Sequence, residues 1–252
     1  MKIITSPAKL MKIENSTEFL KPTTPRFIED SELIQSHLKQ KTPKYLSELM
    51  EISPKLADEN WERNQNWKSN PTAKESAPAM FAFTGEVYRG LDAKTLDKNA
   101  VDYLQKNYRM LSGLYGLLKP SDKVMLYRLE MGRNFEFENY KNLYEFWTDK
   151  VTEQLNSEMK KDEILLNLAS NEYVKVVNRK KLNHQVIDFD FYELKDGKLK
   201  TIVVYTKHAR GLLVRFCAET NAQTLNDVKA FNYEGYRIDE EKSTENKLVF
   251  TR

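Results

Sequence analysis

The chain has 252 residues, 40% hydrophobic and 11% aromatic, so it can offset the entropy of folding and is not a disordered segment. Lys and Arg number 40 against 37 acids, a net +3 far from a histone-like excess, so overall charge names no partner. The single cysteine excludes an intrachain disulfide, and no apolar run approaches the roughly 20 residues that cross a bilayer; one domain over 1–252, cytoplasmic and without membrane attachment, is the expectation.

Met1 to Thr5 reads as a short first strand that stops at Ser6-Pro7 and leaves Lys9 at a strand end. Asp30-Ser31 opens a helix with Leu33, Ile34 and Leu38 on one face; Pro43 closes it, and another helix follows from Lys44. Ser53-Pro54 is read as an N-cap and first helical residue, with Leu56, Trp61 and Trp67 lining a helix that runs toward Lys68. Lys68 to Pro78 reads as a loop. Then come an apolar strand from Met80 to Phe83, a turn at Gly85, a short helix around Val87 and Leu91, and a helix from near Asp97.

Leu143, Trp147, Val151, Leu155 and Met159 recur every fourth residue, which predicts an amphipathic helix within Asn142 to Lys160. Ile164 to Ala169 follows as a buried strand. Val186 to Leu194 and Lys198 to Thr206 are strand-like runs joined by the hairpin signal Lys195-Asp196-Gly197, with a helix from about Ala209 to Thr220 and a last strand at Leu248 to Phe250. The predicted fold class is mixed α/β, helices around a central mixed sheet.

Conventional catalytic signatures are missing. The histidines His37, His184 and His208 form no ligand pair, and Asp188, Asp190 and Glu193 on one strand read as a solvated face, so no metal is expected. No glycine run matches a phosphate loop or dinucleotide fingerprint, Gly-x-Ser-x-Gly is absent, and no cofactor is expected. Cys217, flanked by Leu213, Val214, Phe216 and Ala218, reads as a buried inert thiol.

Two segments carry more than packing. Between Arg109 and Lys119-Pro120, Ser112-Gly113-Leu114-Tyr115-Gly116 places two glycines around an apolar pair, either exposing amides to phosphate or making a tight turn between core elements. From Gly197 to Ala218 there are five cations (Lys198, Lys200, Lys207, Arg210, Arg215) and no acid. There a strand end hands Tyr205-Thr206-Lys207-His208-Ala209-Arg210 to a helix start, a natural anion site or, more plainly, a solvated basic face. Lys175 and Arg179-Lys180-Lys181 extend the same charge. Lys9 is a phosphate contact if exposed and a nucleophile or base if buried.

Read together, Ser6-Pro7-Ala8-Lys9, Phe83 to Leu91, Met110 to Pro120, Tyr127-Arg128-Leu129-Glu130-Met131-Gly132, Asn167 to Ser170 with Glu172-Tyr173, and Tyr205 to Phe216 resemble the YaaA family of bacterial peroxide-stress proteins. Phe231, Gly235-Tyr236 and Leu248-Val249-Phe250 complete a likeness over essentially the whole chain. The resemblance implies a single compact α/β domain with a positively charged cleft, a helix-hairpin-helix-like element, DNA binding, and limitation of intracellular iron during hydrogen peroxide stress. That element is best matched by Leu111 to Leu118, although Leu114 and Tyr115 separate the glycines by one residue more than is usual.

The expected function is binding of duplex or distorted DNA without strong sequence specificity, through phosphate contacts from Lys9, Arg109, Arg128, Lys175, Lys207, Arg210 and Arg215. The turn Ser112, Gly113, Tyr115 and Gly116 is placed at the same interface, with Tyr115 either stacking on a base or packed in the core. No protein partner is expected. The rival is an enzyme acting on a nucleobase or nucleoside with Lys9 or Glu130 in the cleft; iron sequestration is disfavoured by the shortage of ligands.

Overall fold

The computed structural model describes residues 1–13 and 19–252. Strand β1 (Lys2–Thr5) forms where the sequence places a first strand, but all four residues, Lys2 and Thr5 included, are buried, because neighbours cover both faces of a central strand. The short β2 (Leu10–Met11) follows, then three helices. Helix α1 (Ile28–Lys39) starts two residues before the expected Asp30. Pro43, expected to close α1, opens α2 (Pro43–Met50), because the Thr42 hydroxyl accepts the Tyr45 amide and proline needs no donor in the first turn. Helix α3 (Pro54–Asn66) starts at the Ser53 cap as the Ser-Pro pair predicts; Trp67 is buried beyond its end, while Leu56 and Trp61 face outward.

After β3 (Ala77–Pro78), the expected strand at Met80–Phe83 is instead a single helical turn, α4 (Ala79–Ala82), handing over to β4 (Phe83–Thr84). All four α4 residues are buried, and a short uniformly apolar run has no period from which to choose helix or strand. Then come α5 (Glu86–Leu91), α6 (Lys98–Asn107) capped by Asp97, β5 (Tyr108–Ser112), β6 (Gly116–Leu118) and β7 (Lys123–Val124). The amphipathic repeat forms α7 (Leu143–Glu158) behind an Asn142 cap. The chain continues through β8 (Leu165–Leu168), α8 (Asn171–Val174), β9 (Val186–Lys195) and β10 (Lys198–Lys200). It ends with α9 (Val203–Glu219), α10 (Leu225–Lys229), β11 (Arg237–Ile238) and β12 (Lys247–Thr251).

Eight strands form one mixed sheet in the order β11-β12-β9-β8-β1-β5-β6, with β10 paired to β9. The central pairs β5-β1, β1-β8, β8-β9 and β9-β12 are parallel, and the edges are antiparallel. The mixed α/β class expected from the sequence is therefore the observed one, and the apolar core runs from Met1 to Phe250. One boundary differs in a way that matters: the second strand of the Lys195–Gly197 hairpin stops at Lys200, so Tyr205, Thr206 and Lys207 lie inside α9. Cys217, on the buried side of α9, has its thiol pushed up to about 12 by burial and stays protonated at neutral pH. Among the described residues no helix is long and apolar enough to cross a membrane.

Candidate functional site

In an open parallel sheet, loops leaving neighbouring strands in opposite directions open a crevice at the strands' carboxyl ends. Here β1 leads toward β5 while β8 leads toward β9, so the sheet order reverses between β1 and β8. The loop after β1 (Ser6 to Lys9) and the turn after β8 (Ser170 to Tyr173) meet at that point: the Ser170 amide donates to Ser6 Oγ at 2.9 Å, and Ser6 Oγ lies 3.2 Å from Ser170 Oγ. β2 pairs with β4 through Leu10 with Thr84 and Met11 with Phe83, which brings the start of α5 beside the first loop. Tyr88 of α5 donates its hydroxyl to the Ser6 carbonyl at 3.0 Å.

The result is a cavity of about 590 Å³, within the range of small-molecule sites. Its walls combine Ser6–Leu10, Thr84–Tyr88, Tyr127–Glu130, Ser170, Glu172 and Tyr173 with Lys207 and Arg210 of α9. Five of the sequence blocks, far apart in the chain, thus share one concave surface. Tyr88, Tyr127 and Tyr173 are buried, and burial first of all pushes their phenols well above the ordinary value, so all three remain neutral.

Glu130 is the centre of the charge arrangement, its side chain only 5% exposed. Its Oε1 accepts from Arg128 Nη2 at 3.1 Å and lies 3.4 Å from Lys9 Nζ and 3.8 Å from Arg133 Nη2. Its Oε2 is shut off from solvent with no hydrogen-bond partner among the described residues, and so is Nε of Arg210. Burial lowers the Arg210 guanidinium from its ordinary value, the negative charge of Asp190 partly opposing this. A second hollow of about 440 Å³ adjoins the first, shares Lys9 and Glu130 with it, and is lined by Lys175.

Of the expected contacts, Lys9, Arg128, Lys207 and Arg210 line the cleft, and Lys175 lies beside it. Lys9 is exposed, its side chain 59% accessible, which favours the phosphate-contact side of its two sequence readings. Arg109 is corrected: its side chain is 5% exposed and its Nε and Nη2 hold Glu158 Oε2 at 2.6 and 2.5 Å. Arg215 is corrected as well, because its Nη1 donates to the Leu91 and Asp92 carbonyls and Thr95 Oγ1, closing the end of α5, while Nη2 pairs with Glu219 at 2.7 Å. The five-cation run does not form one surface, since helical turning separates Arg215 from Lys207 and Arg210, and Lys198 and Lys200 sit on the β9-β10 hairpin.

Ser112, Gly113, Tyr115 and Gly116 are buried too, and the segment matched to a helix-hairpin-helix-like element is a β-hairpin, β5 to β6. Its turn is closed internally: Ser112 Oγ accepts the Leu114 and Tyr115 amides, and Gly116 takes φ 67°, the left-handed position of a three-residue hairpin loop. A Cβ on Gly113 would stand 2.2 Å from the Leu129 carbonyl, so this glycine lets the Tyr127–Glu130 segment lie close. The Tyr115 hydroxyl accepts from Trp67 Nε1 at 2.9 Å and from the Met125 amide, which fixes it in the core and not against a base. The glycine motif supports the cleft from behind.

Reading for phosphate contacts draws attention to cations and passes over the carboxylates beside them. Glu86 and Glu172 also line the cavity, Glu86 paired with Arg89 at 2.7 Å and Glu172 accepting the Gly132 amide at 3.1 Å. Their positions inside two of the motif blocks were the available signal. Among the described residues no group of three or more His, Cys, Asp or Glu is placed to hold a metal ion.

Comparison with known proteins agrees with the whole-chain character of these motifs. A UPF0246 protein of Flavobacterium johnsoniae is 50% identical over 252 residues, all of both chains, and one of Flavobacterium psychrophilum is 46% identical over the same span. A UPF0246 protein of Neisseria gonorrhoeae is 43% identical, covering all of this chain and 98% of its own. The family described as "Peroxide stress protein YaaA" matches residues 1–242, and the chain belongs to this family of peroxide stress proteins.

Proposed function

We propose that this peroxide stress protein binds DNA in the cytoplasm through the rim of the cleft, without strong sequence specificity, and limits iron-dependent oxidative damage there. The supporting observation is that the side chains of Lys207 and Arg210, with Lys175 beside them, make no hydrogen bond or ion pair among the described residues and line, with Lys9, one cleft and the hollow adjoining it. Cations held near each other without intramolecular partners are suited to phosphate oxygens, which position a nucleic acid without reading its sequence.

Fluorescence anisotropy of labelled duplex, single-stranded and junction DNA over a series of salt concentrations tests this. Affinity is expected to fall linearly on log-log axes, with a slope of about 0.9 per duplex phosphate neutralised, and Lys207→Ala is expected to reduce the slope by about 1. Salt-independent binding, or none, overturns the reading.

One observation favours a second reading, an enzyme acting on a nucleobase or nucleoside: Lys9 Nζ and the buried Glu130 carboxylate stand 3.4 Å apart in the same open cavity. Chromatography of DNA and nucleosides incubated with the protein is then expected to show released or altered base, at least about 100-fold faster than with Glu130→Gln, the usual scale for losing an acid-base group. Unchanged substrates after prolonged incubation remove this reading and leave DNA binding standing.

A further inference from the structure

We infer that the cavity behind the cationic rim receives a single unpaired nucleobase, its edge held between Glu130 and Arg210. The inference rests on the nucleic-acid reading of the cleft and adds what enters it. Burying a polar atom without a partner is costly, more so when it is charged, so each buried orphan calls for an explanation, and in the wall of a cavity a bound ligand is one. Two such atoms belong to residues lining this cavity, and they are of opposite type: Glu130 Oε2 can only accept, and Arg210 Nε can only donate. A ligand that satisfies both carries a donor and an acceptor, which every nucleobase does along its edge.

The walls and the charge point the same way. Tyr88, Tyr127 and Tyr173 line the cavity, and aromatic side chains are the groups on which bases stack. A phosphate inside the cavity would meet Glu86, Glu130 and Glu172, whereas at the mouth it meets exposed Lys9 and Lys207. The arrangement suits a nucleotide whose neutral ring enters while its phosphate stays at the rim. A base in a duplex already uses its pairing edge, so the occupant is an unpaired or extruded one.

The test uses three duplexes that differ at one position: 2-aminopurine paired, 2-aminopurine unpaired, and an abasic site. The protein is expected to bind the unpaired-base duplex at least tenfold tighter than the abasic one and to shield the fluorescent base from acrylamide. Glu130→Gln keeps the acceptor that Arg128 and Lys9 hold at Oε1 but turns the free oxygen into a donor, so the ratio of unpaired-base to abasic affinity should fall to about 1. Equal affinity for unpaired-base and abasic duplexes, or a base as open to acrylamide bound as free, overturns the inference. If no DNA binds, the reading under Proposed function fails by itself, and saturation-transfer NMR with free nucleosides decides this one. Transfer to the base protons that Glu130→Gln abolishes supports the pocket, and absence of transfer overturns it.

Discussion

Arg109→Ala is expected to destabilise the fold by about 3–5 kcal/mol, the usual cost of leaving one partner of a buried ion pair alone. The guanidinium holds Glu158 and also donates from Nη1 to the Gln105 and Tyr108 carbonyls at 3.1 and 2.6 Å, so it joins α6, β5 and α7. Burial by itself would raise the Glu158 carboxyl, but Arg109's charge and hydrogen bonds, with Gln154, hold it below its ordinary 4.5. The native pair therefore contributes stability that is fully present above about pH 4.5 and is lost as pH falls through the lower folded-state value.

Without Arg109 the sign reverses. Burial then raises Glu158, protonation favours the folded form, and the deficit of the variant should shrink between pH 7 and pH 5. Urea unfolding at both values measures this; a deficit that is constant or grows on acidification contradicts the account. Arg109→Met/Glu158→Leu, which removes both charges, should recover most of the stability and leave the DNA salt slope of the wild type unchanged. A reduced slope would return Arg109 to the interface.

Gly211→Ala should be nearly as damaging, with a loss of about 3 kcal/mol and a fall in melting temperature of about 10 °C. A methyl group in a helix interior normally gains up to about 1 kcal/mol over glycine, so the predicted loss runs against helix propensity. The cause is contact between backbones: a Cβ on Gly211 would stand 1.8 Å from the Val87 carbonyl, and one on Gly90 would stand 2.2 Å from the His208 carbonyl. The two glycines let α5 and α9 cross at a distance no side chain fits, and backbone atoms cannot rotate away as a flexible side chain can.

That crossing also sets the width of the cleft, because α5 supplies Glu86 and Tyr88 to one wall and α9 supplies Lys207 and Arg210 to the other. Calorimetry of Gly211→Ala beside anisotropy below its melting temperature should show weakened DNA binding in protein that is still folded. A melting temperature at or above that of the wild type would mean that the helices separate freely, and the role given to the glycine pair would fall.

The sequence by itself determined the parts governed by local chemistry. Ser53-Pro54 and Asn142 start helices because a short polar side chain accepts the amides a first turn leaves free, and the spacing from Leu143 to Met159 selects a helix because only that period puts those residues on one face. The motif blocks marked the regions that build the cleft, and Lys9, Arg128, Lys207 and Arg210 were legible within them. Only the tertiary structure decided which cations reach solvent. Arg109 and Lys207 look alike in sequence, but one meets a carboxylate brought from α7 and the other meets none among the described residues, a difference made by contacts between distant segments. The same holds for the glycine turn, whose amides Ser112 consumes, and for Glu130, whose single free oxygen exists because three cations from other positions converge on its other one. Charge and periodicity are properties of a segment; solvent access and hydrogen-bond satisfaction are properties of the folded neighbourhood, and the site depends on the latter.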